Sequence, residues 1–306
     1  MKSKKLIALI SFLFLSLLFL AYMLYKADLS LQPLKSDTLA DKKERPPVYL
    51  ISYADGHEVF YKNQHMLTYS AQNKGFDFFL NYRKSLLDLE FVKKNQDILD
   101  ISTGAGLWVW KPQIILQTMR HAPKNALIVY TDVGFIYGKP IDGLFDLMKG
   151  KDILLENIDN YESKEKLTQW LPKKITQEWD IASNPPAFIE SGFIIVRNTE
   201  KAKNFIERWL ELCLRREYAF LPYDATLDNI KGFTYDQSLL SLAAHQYSED
   251  VQTVGKDEIM PFLLFPHRHP GSNLPVLLAY VIPLPVAKGI VCVIRKIRAF
   301  YRLLIQ

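Results

Sequence analysis

Leu127, Ile128, Val129, Tyr130 and Thr131 lead into Asp132, Val133 and Gly134, an apolar run that ends in a carboxylate and a glycine. A hydrophobic strand delivering one acidic side chain to its carboxyl end is how open α/β sheets place ligand-binding and metal-binding groups. Asp132 is therefore the first candidate for chemistry. The plainer reading is that it starts the next turn, as Asp often does at strand ends. Further along stand Glu190-Ser191-Gly192, Asp236-Gln237 and His267-Arg268-His269. A carboxylate such as Glu190 can act as nucleophile, base or hydroxyl acceptor, or merely fix a turn. Asp236 begins a helical pattern, where an N-cap is its structural reading. Neutral imidazoles at His267 or His269 can ligate a cation and Arg268 can pair with a phosphate, while a polar surface loop is the alternative.

The elements that must position these groups follow from patterning. Val48 to Tyr53 is β-rich and bounded by Pro47 and by Asp55-Gly56, which predicts a first strand. Helices are expected over residues 59–73, 76–91, 110–120, 199–214 and 236–245, with Pro112 in a first turn and Thr199 as a cap. Strands are expected over 98–101, 126–130 and 152–155. Residues 187–197 read as a strand approach, a turn at Glu190-Ser191-Gly192 and a second buried strand. Strands separated by such helices predict an α/β domain with a mostly parallel, Rossmann-like sheet covered on both faces. Trp108 and Trp110 beside Gly104-Ala105-Gly106 read as core aromatics, and Val109 at the third fingerprint position argues against a dinucleotide site.

The 306 residues are 49% hydrophobic and 23% charged, with ample material for a core. A net charge of +5 without a long basic block gives a nucleic-acid partner no support. Cys213 and Cys292 lack metal-ligand spacing and make no disulfide framework; Cys213 lies in an apolar helical pattern, as a buried inert thiol would. Residues 6–24 hold no charge and follow Lys2, Lys4 and Lys5. Roughly nineteen residues at 1.5 Å each span a bilayer core of roughly 30 Å. Bulky residues stand where a signal peptidase needs small ones, so residues 1–28 read as a cytoplasmic tail and uncleaved anchor of a type II, single-pass membrane protein. Residues 29–47 read as a polar stalk. In the tail, 273–306, three prolines break an apolar stretch that precedes Arg295, Lys296, Arg298 and Arg302. It reads as a basic segment on membrane lipid or as a helix packed back on the domain.

Tyr49 to Asp55, Trp108-Val109-Trp110-Lys111-Pro112, Tyr130-Thr131-Asp132-Val133-Gly134, Glu190 to Ile195 and Asp236-Gln237-Ser238-Leu239-Leu240 occur in one order. Together they resemble the nucleotide-sugar glycosyltransferases of the GT-A fold, in particular the branch with glycogenin and bacterial lipo-oligosaccharide galactosyltransferases. The resemblance covers roughly 48–269 and sets the expected catalytic domain at 48–272. It implies a hexosyltransferase of glycan biosynthesis, with a nucleotide-sugar donor and a glycan, lipid-linked glycan or protein acceptor. It implies Mn²⁺ or Mg²⁺ on an Asp-x-Asp motif, of which Asp132 is the first carboxylate while Gly134 stands in the second's place. His267 or His269 would complete the metal site, and Lys111 and Arg268 would offset phosphate charge. Tyr53 and Asp55 would hold base and ribose, Ser191 and Gly192 would line the sugar pocket, and Glu190, Asp236 and Gln237 would face the transferred sugar. Retention of configuration follows from the resemblance only.

Two other classes stand beside this reading. A binding protein of the same fold that lost catalysis would account for Gly134. A nucleotidyltransferase would need a Gly-rich basic loop after the first strand, which Asp55-Gly56-His57-Glu58 does not supply.

Overall fold

Period-two alternation in the apolar strands sends neighbouring side chains to opposite faces of the sheet. In the computed structural model this produces two separate cores. Ile51, Ile128, Tyr130, Ile153, Leu155, Ile194 and Val196 pack on one face, and Val48, Leu50, Val129, Leu154, Phe193 and Ile195 on the other. The structure describes residues 45–158, 166–181 and 186–264, together with Ser16 and Phe19. Nearly all of these lie in one compact unit, Glu44–Phe265.

The main sheet has six strands: β1 Val48–Tyr53, β2 Phe78–Tyr82, β3 Leu127–Thr131, β5 Ile153–Asn157, β6 Ile189–Arg197 and β7 Val251–Gly255. Their spatial order is β2-β1-β3-β6-β5-β7. Pairs β1–β2, β1–β3 and β5–β7 are parallel, and β6 runs antiparallel to both β3 and β5. The expected mostly parallel sheet is present, with β6 as the reversed strand. Two-residue strands β4, Ile136–Tyr137, and β8, Leu263–Leu264, form a separate small ladder. The longer helices are α1 Glu58–Ala71, α2 Trp110–His121, α3 Glu200–Leu214 and α4 Asp236–Gln246.

Helix α3 shows why the pattern folds as it does. Thr199 accepts from the Ala202 amide and closes the first turn. Ala202, Phe205, Ile206, Trp209 and Leu212 are then buried along one stripe, as are α4's Leu239, Leu240 and Ala243. Each fully buried Leu, Ile or Phe side chain contributes about 1.5–3 kcal/mol from water exclusion.

Three expectations fail. Residues 76–91 are not one helix: Phe78, Leu80 and Tyr82 alternate in strand β2, followed by short helical turns at Lys84–Leu86 and Leu89–Lys94. An aromatic-rich run suits a pleated surface, and pairing with β1 satisfies its backbone. Residues 98–101 are not a strand: Gln96–Leu99 is a helical turn that buries both Ile98 and Leu99. So short an apolar run carries no distinguishing period. Glu190-Ser191-Gly192 is not a turn but lies inside β6. Its register against β5 jumps from Leu155↔Ile194 to Glu156↔Glu190, a bulge that absorbs the intervening residues.

No helix among the described residues is long and apolar enough to cross a membrane. The expected anchor, 6–24, lies outside the described residues apart from Ser16 and Phe19, both helical. The tail, 273–306, and His267, Arg268 and His269 lie outside them altogether, as does most of the stalk.

Candidate functional site

Period two puts Tyr130 and Asp132 on the same face of β3, and that face is covered by α2. Helix α2 begins after an unusual entry: Gly104, Ala105, Gly106, Leu107 and Trp108 all have positive φ, between 51° and 98°. For L residues this left-handed turn costs about 1–2 kcal/mol each. A Cβ on Gly106 would lie 2.8 Å from Leu99 Cα, so glycine is needed there. The turn is held by Trp110 Nε1 donating to Gly104 O at 2.9 Å, and it delivers Lys111 into the interior. Strain of this kind persists where surrounding structure over-determines it, which is common at functional sites.

The Lys111 ammonium lies 3.0 Å from Asp236 Oδ2 and 3.4 Å from Asp132 Oδ1. It donates to Ser191 Oγ at 3.0 Å and to Ser191 O at 3.3 Å. An ammonium has three N–H donors, so its capacity is spent within the protein. Lys111 therefore orients the carboxylates around it. Burial works against its charge, but Asp132 and Asp236 outweigh burial and hold it protonated well beyond the usual lysine range. Burial pushes the Asp236 carboxyl above the ordinary carboxylate range, with Lys111 and Ser191 opposing the shift. Asp236 is the first residue of α4, and the side chain of Tyr235, at the cap position, makes no capping bond. The Asp236 side chain is turned to Lys111 instead. Its backbone carbonyl accepts from Trp209 Nε1 at 2.9 Å. Gln237 is half-buried on the same first turn, its carbonyl accepting from Ser241 Oγ.

Asp132 is half-buried, and its Oδ1 also accepts the Tyr130 hydroxyl. Burial, then Asp132, pushes that phenol well above its usual range, so it remains a donor. Tyr130 went unassigned in the sequence, although its spacing of two from Asp132 was the available signal. Opposite, the Gly192 amide donates to Glu190 Oε1 at 3.1 Å, and the Asp132 amide donates to Gly192 O at 2.8 Å. A Cβ on Gly192 would meet Asp132 Oδ2 at 3.1 Å, Phe135 at 3.2 Å and Glu190 Oε1 at 3.3 Å. Glycine in the β6 bulge thus lets the Glu190 carboxylate of β6 and the Asp132 carboxylate just after β3 face one space.

Tyr53 is buried, stacked on Trp110 with ring centroids 4.0 Å apart. Its hydroxyl donates to Asp55 Oδ2 at 3.2 Å, the Tyr61 hydroxyl to Asp55 Oδ1 at 3.3 Å, and the Gly56 amide to Asp55 Oδ1 at 2.9 Å. The Arg83 guanidinium lies 4.6 Å over the Tyr61 ring and donates to Gln64 Oε1. Arg83 directly follows β2, in the stretch for which the sequence predicts a helix. The stack Tyr53–Trp110, with Trp110–Tyr130 at 6.4 Å, links this Asp55 group to the Lys111 group. The structure therefore brings together Lys111, Asp132, Glu190, Ser191, Gly192 and Asp236, with Tyr53 and Asp55 one ring stack away.

Among the described residues no group of three His, Cys, Asp or Glu is arranged as a metal site. Asp132 Oδ2 and Glu190 Oε1 approach the same point beside Gly192, at 3.1 and 3.3 Å from where its Cβ would stand, and carboxylate oxygens are the donor type that hard divalent cations take. Mg²⁺ is bound through one or two carboxylates, with water and substrate phosphate filling the remaining positions.

No protein-family model matches the chain, and no curated protein does. Solved structures to which it is similar include a glycosyltransferase involved in the glycosylation of the major capsid of PBCV-1. That match has 12% identity and a TM-score of 0.44, over 76% of this chain and 100% of that one. Mouse xyloside xylosyltransferase 1 in its apo form matches at 10% identity and a TM-score of 0.40, over 68% of this chain and 84% of that one. The galactosyltransferase LgtC, in complex with donor and acceptor sugar analogs, matches at 10% identity and a TM-score of 0.37, over 67% of this chain and 73% of that one.

Proposed function

We propose that this chain is a glycosyltransferase that moves a hexose from a nucleotide sugar to a hydroxyl of a glycan, a lipid-linked glycan or a protein. The single observation that carries the reading is the convergence of Asp132, Glu190 and Asp236 around the buried Lys111 ammonium at one end of the sheet. Three carboxylates against one ammonium leave an excess of negative charge. A diphosphate enters such a site only with a cation, and its charge grows as the glycosidic bond breaks. In this reading Mn²⁺ or Mg²⁺ sits on Asp132, with Glu190 standing in for the carboxylate absent at Gly134. When bound, the ion supplies Lewis-acid stabilisation of the departing diphosphate. His267, His269 and Arg268 are proposed to approach it from the following segment.

The chain's own groups do the rest. Lys111 fixes Asp132 and Asp236, and Tyr130 holds Asp132 Oδ1, leaving Oδ2 directed at the Gly192 cradle. Ser191 and Gly192 form the floor under the sugar. Asp55, ordered by Tyr53 and Tyr61, accepts ribose hydroxyls, and Arg83 lies beside it for the nucleotide. Glu190, Asp236 and Gln237 face the sugar as hydroxyl acceptors, and one carboxylate takes the proton of the acceptor hydroxyl as the new C–O bond forms and the C–O bond to phosphate breaks. Residues 1–28 are proposed as the membrane anchor of a type II protein, with the tail 273–306 on lipid.

The test is hydrolysis of a panel of nucleotide sugars by the purified full-length chain, with and without Mn²⁺. Turnover that needs the metal and disappears in Asp132→Ala is expected. Neither binding nor turnover of any donor would refute the enzyme. Binding without turnover would favour a sugar-nucleotide-binding protein of the same fold.

A further inference from the structure

Among the described residues, Arg83 is a cation at this end of the sheet without a carboxylate partner. The β1–β2 register pairs Tyr53 with Tyr82, and the β1–β3 register, carried two residues past Ile51↔Tyr130, sets Tyr53 beside Asp132. Arg83, Asp55 and Asp132 therefore follow the ends of three neighbouring strands, β2, β1 and β3, at one edge. The guanidinium is held from behind: Nη1 donates to Gln64 Oε1, and to Tyr82 O at 3.3 Å. Gln64 is buried and itself fixed, its Nε2 donating to the buried Ser52 Oγ at 3.0 Å and to Tyr82 O at 3.4 Å. The Ser52 and Thr68 hydroxyls donate in turn to Asn81 Oδ1 at 3.2 and 3.0 Å. The guanidinium also lies over the Tyr61 ring, whose hydroxyl donates to Asp55. Its Nε and Nη2 have no partner among the described residues. Nε–H and Nη2–H form the side-on fork of a guanidinium, two parallel donors that match two adjacent acceptors.

We infer that Arg83 reads the base of the nucleotide-sugar donor, and that the base is guanine. This rests on the glycosyl-transfer reading of the adjacent site. With the diphosphate at Asp132 and the ribose at Asp55, the base falls beyond β1 at the end of β2. Neighbouring strands lie about 4.8 Å apart, so Arg83 stands two spacings from Asp132, room for a ribose between diphosphate and base. Guanine offers the fork two adjacent acceptors, O6 and N7, on an edge remote from its ribose. On the same edge adenine sets an amino donor beside N7, cytosine presents an amino donor, and a uracil-type base presents O4 alone. The adjacent acceptors of cytosine, O2 and N3, lie toward the glycosidic bond, on the side where Asp55 holds the ribose. A phosphate also has adjacent acceptors, but both phosphates of the donor are engaged with the cation two strands away. Because the buried Gln64 and Ser52 fix the guanidinium, a mismatched base leaves its donors unpaired, which is how a site built on hydrogen bonds discriminates.

Titration calorimetry of the full-length chain in Mn²⁺ tests this, with GDP, UDP, CDP, ADP and pyrophosphate as the probes. GDP is expected to bind about tenfold more tightly than the other three nucleotides, the discrimination of one bidentate arginine–guanine contact. Arg83→Met should erase that preference by weakening GDP about tenfold, and pyrophosphate should not weaken with it. Arg83→Lys should erase the preference too, because an ammonium keeps the charge and loses the fork. A melting curve shows that each variant is folded, and the preference of the parent is itself decisive. The inference is overturned if any other nucleotide binds as tightly as GDP or if Arg83→Lys keeps the preference. It is also overturned if Arg83→Met weakens every nucleotide and pyrophosphate alike, which makes Arg83 a phosphate contact. Nucleotide binding without a guanine preference leaves the glycosyl-transfer reading standing. A guanine preference that needs Arg83, with no turnover of any guanosine-diphosphate sugar, refutes that reading and not the base assignment; binding of none of the probes refutes both.

Discussion

Replacing Lys111 by Met keeps the volume of the side chain and removes its charge. Both partners of the Lys111–Asp236 pair are buried, with side chains 4% and 5% exposed at 3.0 Å. Removing one member of a buried pair strands the other, at a cost of about 3–5 kcal/mol. The contact with Asp132 adds less, because that carboxylate is 39% exposed and water screens it. For a domain of this size each kcal/mol moves the melting midpoint by about 2–4 °C, so a fall of roughly 10 °C is expected at neutral pH. The pH dependence has a definite sign. Asp236 titrates above its unfolded value because burial outweighs Lys111, so its ionised form costs stability, and that cost is relieved as pH falls through its folded pKa. Lys111 has a raised folded pKa, so its contribution is complete at any pH below the ordinary lysine range and is lost only in strong alkali. Of the two groups, Asp236 is therefore the one whose contribution changes as the solution is acidified. Without Lys111 its pKa climbs further, and Lys111→Met should approach the parent in stability as the solution is acidified. Lys111→Met with Asp236→Asn should recover most of the loss at pH 8. Urea denaturation of the four proteins at pH 5 and 8 measures the cycle. A Lys111→Met variant as stable as the parent at pH 8, or a double variant no better than the single one, would refute the buried pair.

Gly192→Ala should cut donor turnover at least tenfold, because its methyl must push aside Asp132 Oδ2 and Glu190 Oε1; steady-state kinetics at several Mn²⁺ concentrations will show whether the metal requirement rises with it. Tyr130→Phe removes one hydrogen bond to Asp132, which for a charged acceptor is worth about 1.5–3 kcal/mol, and is expected to weaken Mn²⁺ binding measured by electron paramagnetic resonance. Thr199→Ala should lower unfolding stability by about 1 kcal/mol through loss of the α3 cap, with donor turnover intact.

Long elements were legible because their periods were clean. β1, β3 and α3 follow the sequence expectation closely, and Thr199 was readable as a cap. Strand β2 was not, since its aromatics also fit a helix and only pairing with β1 decides. The bulge in β6 was hidden for a different reason. Gly192 carried the signal of a glycine between polar residues, but a turn and a close approach of carboxylates share that signal. Asp132, Lys111 and Asp236 were each readable as candidates, yet their mutual pairing depends on the left-handed entry to α2, which places alanine, leucine and tryptophan where propensity disfavours them. The gap left by Gly134 was visible in the sequence. That Glu190 faces Asp132 across Gly192 was not, because Asp132 follows the end of β3, Glu190 lies on the neighbouring antiparallel β6, and no local pattern reports their meeting.

Titration calorimetry of nucleotide sugars into the full-length chain, with Mn²⁺ present, tests the central claim most directly. The parent protein should bind at least one donor, and Asp132→Ala and Glu190→Gln should each lose most of that affinity while a melting curve shows them folded. No binding by the parent, or donor binding in Asp132→Ala equal to the parent, would contradict a nucleotide-sugar site built on these two carboxylates.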